Sequence, residues 1–239
     1  MTVTLESTIG DIVASDFRTA AVFQRHGIDF CCRGNRSVGD ACRDGGIGAE
    51  ELLRQVADAT ASPAAGGPRF NAWDVGMLAS YIVANHHEFV RQTIPPLLTH
   101  TRKIASVHGS THPELPEVAA LFTGVADEMT SHMTKEEEIL FPYIAGLAVP
   151  AGRQGRPSSP FGTVRNPIRM MEAEHESVGG AMARIHELTA GYRIPDDACT
   201  TYRVCLQELE AFEHDLHEHV HLENNILFPK AVRLESDNS

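Results

Sequence analysis

Residues 132–142 read His-Met-Thr-Lys-Glu-Glu-Glu-Ile-Leu-Phe-Pro, and residues 219–229 read His-Val-His-Leu-Glu-Asn-Asn-Ile-Leu-Phe-Pro. Each stretch places a His four residues before a Glu and then continues as Ile-Leu-Phe-Pro. On an α-helix, residues four apart lie on one face, about 5–6 Å apart between their Cβ atoms. An imidazole and a carboxylate placed in this way can bind the same metal ion. Two such stretches facing each other predict a site for two ions, and the Pro is expected to end or kink each helix.

Four long segments follow the helical period, and each carries one His near the middle of its apolar stripe. The expected helices run from about residue 72 to 106, from 114 to 145, from 166 onward and from 196 to 232. Pro95 and Pro96 are expected to bend or break the first helix. Its stripe includes Val83, and that of the second includes Ile139 and Tyr143. The candidate ligands on the four stripes are His87, His132, Glu136, His175, His219 and Glu223.

The type of these six side chains points to a transition metal. A lone His on an apolar stripe is more often a hydrogen-bonded core residue than a ligand. Six ionisable groups together change that balance, because burying them without a cation would cost several kcal/mol per charge. Imidazole with carboxylate suits iron, zinc, manganese or copper. Two carboxylates that can bridge and two imidazoles per ion favour a pair of irons, whereas structural zinc prefers a closed tetrahedron.

Carboxylates near the ligands predict a supporting layer. Glu128 lies four residues before His132, and Asp215 lies four before His219, so each is expected to accept the imidazole N–H and fix its orientation. The alternative is an ordinary solvated acid on a helix. Glu174, beside His175, is a weaker candidate for this layer and could line a polar path to the metal.

The other histidines of the bundle are expected to lie off the inner stripes. His108 is set apart, since 21 residues of helix separate it from His87, about 30 Å at 1.5 Å per residue. His217 and His221 could at most form an adventitious metal clip on the surface. The remaining off-stripe residues are His86, His100, His112, His186 and His214.

Composition narrows the choice of partners. The chain has 239 residues and a formal net charge of −12, which argues against nucleic acid or an anionic membrane as the main partner. No apolar run approaches the ~20 residues of a membrane helix, and the N-terminus lacks the pattern of a secretory signal. Five cysteines are an odd number and suggest no disulfide framework, so we expect a cytoplasmic protein.

Turn-rich segments divide the chain. We expect a small helical domain over 1–59, a linker over 60–71 and the bundle over 72–235. In the small domain Ser7 is expected to cap the first helix, Asp16 to cap the second, and Gly27 to end it. The longest connection, 149–165, is rich in Gly, Pro and Ser.

The small domain contains two adjacent cysteines, Cys31 and Cys32. One interpretation is a pair of small buried apolar residues. The other is a reactive pair in which Arg33 and Arg36 lower the thiol pKa values. Cys42 adds a third thiol that could act as a ligand or resolving partner, and Cys199 and Cys205 are expected to be structural.

Several motifs together resemble one known family. The stretches Ser131-His132-Met133, Lys135-Glu136-Glu137, Glu174-His175-Glu176 and Leu222-Glu223-Asn224-Asn225 with Leu-Phe-Pro resemble the hemerythrin-like di-iron bundle of the repair-of-iron-centres (RIC) family. Residues 27–34, Gly-Ile-Asp-Phe-Cys-Cys-Arg-Gly, resemble the Asp-Phe-Cys-Cys signature of that family's small domain. The resemblance covers nearly the whole chain. It implies an all-α protein, an antiparallel four-helix hemerythrin-like bundle preceded by a small helical N-terminal domain.

The resemblance also implies a function in stress responses. It implies two non-haem iron ions, oxo- or hydroxo-bridged when oxidised, and repair of iron–sulfur clusters damaged by nitric oxide or peroxide. Iron donation and nitric oxide binding or reduction are both compatible with it, with Cys31 and Cys32 as redox or iron-transfer thiols. The partners would be nitric oxide or oxygen and damaged or apo iron–sulfur proteins, with a homodimer as one compatible assembly.

One difference from oxygen-carrying hemerythrins concerns the third helix. Those proteins place a second His one turn after the ligand, where this chain has Gly179. A site without that imidazole should keep open coordination positions for a small molecule. Two alternatives to repair remain: a nitric oxide reductase, and a non-enzymatic oxygen or nitric oxide sensor or carrier.

Overall fold

The structure is a computed structural model that describes residues 3–61, 68–149 and 161–237. Within these ranges every regular element is helical, and the extended pairing is limited to an isolated bridge between Thr8 and Ser37. The predicted all-α class is confirmed. Most of the predicted linker and of the long 149–165 connection lies outside the described residues, and the domain boundaries stay predictions.

The N-terminal residues form four short helices. The side chain of Thr8 accepts a hydrogen bond from the backbone N–H of Asp11, so Thr8 and not Ser7 caps the first helix. Asp16 caps the next turn as expected, through the N–H of Arg18. Gly27 has a φ of 65°, which favours glycine where the chain leaves the second helix. The helices are α1 (Ile9–Ser15), α2 (Ala20–Arg25, after a 3-10 turn at Phe17–Thr19), α3 (Val38–Gly45) and α4 (Ala49–Ala61).

Four long helices follow, and three of them contain a π-helical turn. None of the helices among the described residues is both long and apolar enough to cross a membrane. The helices are α5 (Val75–Ile82, π turn Val83–His87, Glu88–His108), α6 (Leu115–Lys135, π turn Glu136–Leu140, Phe141–Leu147), α7 (Arg165–Leu188) and α8 (Thr200–Leu222, π turn Glu223–Leu227, Phe228–Asp237).

The prolines of the bundle do not end its helices. Helix α5 runs through Pro95 and Pro96, although a break was expected there. Pro142 and Pro229 each follow a π turn, and the helix continues beyond them. A proline ring clashes with the carbonyl four residues earlier, which for these two prolines belongs to the π turn. The wider π turn accommodates this clash, so each Ile-Leu-Phe-Pro sequence continues the helix.

The π turns also change which residues face the interior. In α5 the buried positions step from Leu78 and Ile82 to both His86 and His87. One extra residue in the turn shifts the inner stripe by one position, so Val83 is only half-buried. In α6 the same shift leaves Ile139 51% exposed. The predicted inner positions Val83, Ile139 and Tyr143 were therefore wrong, and Leu140 and Ile144 are buried instead.

Contacts between residues divide the molecule into two compact units. The unit Ala79–Leu216 contains most of the bundle, with α5 packed on α6 and α6 on α7. The start of α8 completes it, because the rings of Phe122 and Phe212 meet edge to face at 5.3 Å. A hydrogen bond of 2.6 Å joins His100 of α5 to Glu208 of α8. The predicted antiparallel four-helix bundle is confirmed.

The second unit combines Met1–Leu78 with His217–Ser239. Here the short helices pack against the final turns of α8. The ring of Phe30 lies 5.9 Å from those of His217 and His221, and Lys230 donates hydrogen bonds to the carbonyls of Asn71 and Trp73.

Asn225 of α8 contacts the short helices through both atoms of its amide. Its amide Nδ2 donates to the carbonyl oxygens of Phe30 and Cys31, each at 3.2 Å. Its Oδ1 occupies a notch between Gly10 and Gly34, which are joined by a 2.7 Å backbone hydrogen bond. A Cβ on Gly10 would lie 2.3 Å from this oxygen, and one on Gly34 would lie 2.6 Å from it. Glycine is therefore required at both positions.

We predict that Gly10→Ala lowers the free energy of unfolding by about 1–3 kcal/mol, because the new methyl group displaces Asn225 from its partners. Gly124→Ala in α6 is the matched control, since its Cβ would meet no atom within 4 Å. Alanine there should be neutral or stabilising by about 0.5–1 kcal/mol. Thermal unfolding of the two variants checks this, and equal stability would show that the notch is not constrained.

Candidate metal centre

Three helices of the bundle unit bring four candidate ligands together. His87, His132, Glu136 and His175 lie on α5, α6 and α7, and all are 0–1% exposed. The Oε2 atom of Glu136 lies 3.4 Å from His87 Nε2 and 3.2 Å from His132 Nε2. His175 Nε2 lies 3.0 Å from His132 Nε2. Two imidazoles therefore direct Nε2 toward one carboxylate, and the third directs its Nε2 toward that of His132.

Carboxylates on the far side of two rings explain this orientation. The Nδ1 atom of His87 lies 2.6 Å from Glu137, and that of His132 lies 2.8 Å from Glu174. Each acid also pairs with a basic side chain, Glu137 with Arg91 and Glu174 with Lys135. An ionised carboxylate accepts the Nδ1–H of a neutral imidazole, which leaves the lone pair on Nε2 for a metal.

The electrostatics keep both of these acids ionised. Burial by itself would raise the pKa of Glu137, but hydrogen bonds from His87 and Arg91 outweigh it and hold the pKa below its usual range. Burial would likewise raise the pKa of Glu174, but hydrogen bonds from Lys135 and His132 outweigh it and lower this pKa. Both acids are therefore anionic acceptors at neutral pH.

Helix α8 supplies the other two candidates. His219 Nε2 lies 3.0 Å from Oε1 of Glu223, and both side chains are fully buried. Glu223 is the first residue of the π turn in α8, as Glu136 is the first residue of that in α6. The repeated His-x-x-x-Glu motif therefore has the same local structure in both places.

The candidate ligands form two groups, one in each compact unit. The first group is His87, His132, Glu136 and His175, and the second is His219 and Glu223. In each group a fully buried carboxylate faces at least one imidazole nitrogen. Buried carboxylates facing imidazoles fit a divalent transition metal, since a cation offsets the cost of burying the negative charges.

A third group lies in the small domain, at Asp29, Cys31 and Cys32. Asp29 Oδ1 accepts the backbone N–H groups of Cys31 at 3.0 Å and Cys32 at 2.9 Å, and it lies 3.3 Å from Cys31 Sγ. The two sulfur atoms are 3.9 Å apart, and neither cysteine is in a disulfide bond. One carboxylate and two thiols thus share a turn from which they could bind a soft cation.

The expectation of a low pKa for these thiols was wrong for Cys31. A hydrogen bond to Cys32, burial and the charge of Asp29 all raise the pKa of Cys31 well above its usual value. Arg36, which was expected to lower it, pairs with Asp44 at 2.6 Å. The third thiol, Cys42, is buried in α3, and burial raises its pKa as well.

The π turn of α8 holds this cysteine loop. Asn224, next to Glu223, donates to the carbonyl of Cys31 at 3.4 Å, and Asn225 donates to it at 3.2 Å. Two residues that directly follow a candidate ligand therefore fix the backbone beside the thiols.

Known protein families match both the bundle and the small domain of this chain. Residues 78–231 match the family described as the hemerythrin HHE cation binding domain, and residues 5–60 match a domain of unknown function, DUF542, found at the N-terminus of ScdA. This chain belongs to the repair-of-iron-centres family.

Relatives of this RIC protein match over almost its full length. The iron–sulfur cluster repair protein ScdA of Staphylococcus haemolyticus is 33% identical, covering 95% of this chain and 99% of the relative. The iron–sulfur cluster repair protein YtfE of Yersinia pestis is also 33% identical, covering 95% of this chain and 97% of the relative.

Two of the expected pairs between a supporting acid and a histidine differ from those in the structure of this RIC protein. His132 is oriented by Glu174, whereas Glu128 accepts a hydrogen bond from Ser177 at 3.1 Å. Asp215 pairs at 2.9 Å with His86, not with His219. The pattern at i−4 was misleading, because Glu174 reaches His132 from a neighbouring helix and Asp215 reaches a histidine of a different helix, His86.

Three histidines that sequence reasoning placed off the stripes also need correction. His86 and His221 are buried, the first because of the π turn in α5 and the second because Phe17 and Phe30 cover it. Burial lowers the pKa of His221 to about 4. A surface clip formed by His217 and His221 is therefore wrong. Glu137 was missed as a supporting residue, since adjacent helix residues point 100° apart and Glu136 already faced inward.

We predict that Glu174→Gln and Glu137→Gln each weaken iron affinity of this RIC protein about 10–100-fold, because the imidazole loses its charged acceptor. Glu128→Gln is the matched control, since Glu128 contacts Ser177 and should leave affinity unchanged. Competition with a ferrous chelator measures all three. Equal affinities in the three variants would contradict the assignment of Glu137 and Glu174.

Proposed function

We propose that the two groups of ligands hold two non-haem iron ions. His87 and His219 would be terminal ligands of one ion and His132 and His175 of the other, with Glu136 and Glu223 bridging them. The observation that carries this proposal is the full burial of Glu136 and Glu223, each next to the imidazole four residues before it. An iron pair needs shared anionic oxygens, and these two carboxylates would provide them.

The protein residues around the ions have separate roles in this proposal. Glu137 and Glu174 hold the His87 and His132 rings by their Nδ1 atoms, so that the Nε2 atoms would bind the ions. Gly179, one turn after His175, supplies no ligand, so coordination positions stay open to nitric oxide or oxygen. Bound iron would supply redox chemistry and binding of such small molecules.

We propose further that the protein repairs iron–sulfur clusters damaged by nitrosative or oxidative stress in the cytoplasm. The names of relatives that match 95% of the chain support the repair of iron–sulfur clusters. Damaged or apo iron–sulfur proteins would be its partners. Repair would proceed by donating iron, by binding or reducing nitric oxide, or by both.

Cys31 and Cys32 would take part in iron transfer together with Asp29. Their ligand atoms already lie within 4.8 Å of one another. Because Asn224 and Asn225 anchor this loop and directly follow Glu223, the thiols stay next to the helix that carries a bridging ligand. The raised pKa of Cys31 means that an arriving cation displaces a proton, which makes capture reversible.

We predict that Glu136→Gln and Glu223→Gln each reduce the iron content from two ions per chain to one or none and abolish reactivation of a damaged cluster enzyme. The neutral amide cannot bridge two cations or offset their charge. Glu138→Gln, an exposed neighbour of the same charge type, is the matched control and should retain both properties. Metal analysis, Mössbauer spectroscopy and the reactivation assay give the readouts.

Three results would separate the alternatives. Nitrous oxide formed in a single turnover with reductant would favour a nitric oxide reductase. Stable reversible oxygen binding without any reactivation would favour a sensor or carrier. Two irons retained in both glutamine variants would refute the bridging assignment.

We also predict that Cys31→Ser and Cys32→Ser slow reactivation several-fold while the iron content of the bundle is unchanged. The hydroxyl is a poor ligand for a soft cation, and neither residue belongs to the His/Glu groups. Cys42→Ala is the control, because it removes a thiol of the same domain that lies outside the Asp29 group. Full reactivation by both serine variants would exclude a role for the pair.

A further inference from the structure

A second cluster of reactive side chains lies where α5 ends and α8 begins, and the iron proposal makes no use of it. His108, the last residue of α5, places its Nε2 3.2 Å from Sγ of Cys199. Cys199 directly precedes Thr200, the first residue of α8. The prediction that Cys199 is structural does not agree with its position, since its side chain is exposed.

Cys199 also occupies the N-cap position of a long helix. Its carbonyl accepts the N–H of Arg203 at 3.1 Å, which is the first hydrogen bond of α8. Negative charge at this position is stabilised by the helix dipole and the free N–H groups of the first turn. The Nε of Arg203 donates to the carbonyl of Ala198 at 3.1 Å, so its guanidinium is held beside the same turn.

Tyr202, His112 and Asp197 lie near His108. The His108 ring lies 5.4 Å from that of Tyr202 and 6.4 Å from that of His112. A hydrogen bond from His112 and the charge of His108 both contribute to a lowered pKa of Asp197, so this carboxylate stays ionised next to the two rings. Glu114 contacts the other nitrogen of His112 at 3.2 Å and adds a second negative charge.

Cys199 differs from the other thiols of the protein in its accessibility. Among the five cysteines, Cys31, Cys42 and Cys205 are buried and Cys32 is half-buried. Burial raises the pKa of Cys205, also on α8, to about 12. An exposed sulfur with an imidazole at hydrogen-bonding distance is the arrangement of reactive thiols.

We infer that Cys199 and His108 form a site at which hydroperoxides oxidise the protein. His108 Nε2 takes the proton of the Cys199 thiol, and the sulfur attacks one oxygen of the hydroperoxide. The O–O bond breaks, the sulfur is oxidised to a sulfenic acid, and the departing oxygen takes the proton from His108 and leaves as an alcohol or water. One thiol and one hydroperoxide thus give one sulfenic acid and one alcohol, with His108 restored.

The test measures the rate at which each cysteine of the full-length, iron-loaded protein reacts. Hydrogen peroxide at pH 7 is followed by trapping of sulfenic acid and mass spectrometry, and iodoacetamide gives the reactivity of the thiol itself. Cys199 should react about tenfold faster than glutathione with both reagents. His108→Gln should lose this advantage and change the pH profile of alkylation.

His100→Gln is the matched control, because His100 lies on the same helix and pairs with Glu208. Neither His100→Gln nor His108→Gln changes a candidate metal ligand, so any iron-dependent oxidation should be the same in these two variants. Unchanged reactivity of Cys199 in His100→Gln, together with the loss in His108→Gln, supports the site. A wild-type Cys199 that reacts no faster than glutathione, or fast alkylation without peroxide reactivity, overturns it.

Discussion

Burial of two carboxylates is the constraint on which the bundle depends. Glu136 and Glu223 are fully inaccessible to solvent, and an ionised carboxylate without compensation inside a protein costs several kcal/mol. Neutral imidazoles cannot supply the missing positive charge, but they can share a cation with the carboxylates. Glu137 and Glu174 contact Nδ1 of His87 and His132, so the Nε2 atoms of these rings face Glu136. The outer acids thus orient the imidazoles, and the imidazoles together with a cation would offset the charge of the buried carboxylates.

All six candidate ligands are buried, as their positions on apolar stripes predicted, but their surroundings were predicted less well. The spacing of four residues selected His132 with Glu136 and His219 with Glu223, because residues at that spacing share a helix face. It failed for His86, Ile139 and Tyr143, since a π turn adds one residue and a regular period cannot show where that happens. It failed for Glu128 and Asp215, which contact Ser177 and His86 on other helices, whereas Glu174 does contact a candidate ligand, His132. Partners across helices depend on packing, which one-dimensional periodicity does not contain.

The π turn of α8 carries both a candidate metal ligand and the residues that contact the cysteine loop. In α8, Glu223 begins the turn on the side of the metal ligands, and Asn224 and Asn225 reach the cysteine loop from the same turn. The notch formed by Gly10 and Gly34 admits Asn225 only because both lack a side chain. Small displacements of Glu223 would therefore be transmitted directly to the backbone of Cys31. A rigid connection of this kind explains why the Asp-Phe-Cys-Cys loop and the second His-x-x-x-Glu motif occur together in one chain.

The composition of the two compact units sets a constraint on folding. The unit that contains Met1–Leu78 is completed by His217–Ser239, so its contacts join segments that are far apart in the chain. Closing so long a loop costs conformational entropy before the contacts offset it. The notch for Asn225 and the ring of Phe30 therefore gain their partners on α8 only when this loop closes. The short helices are thus expected to reach their full stability late in folding.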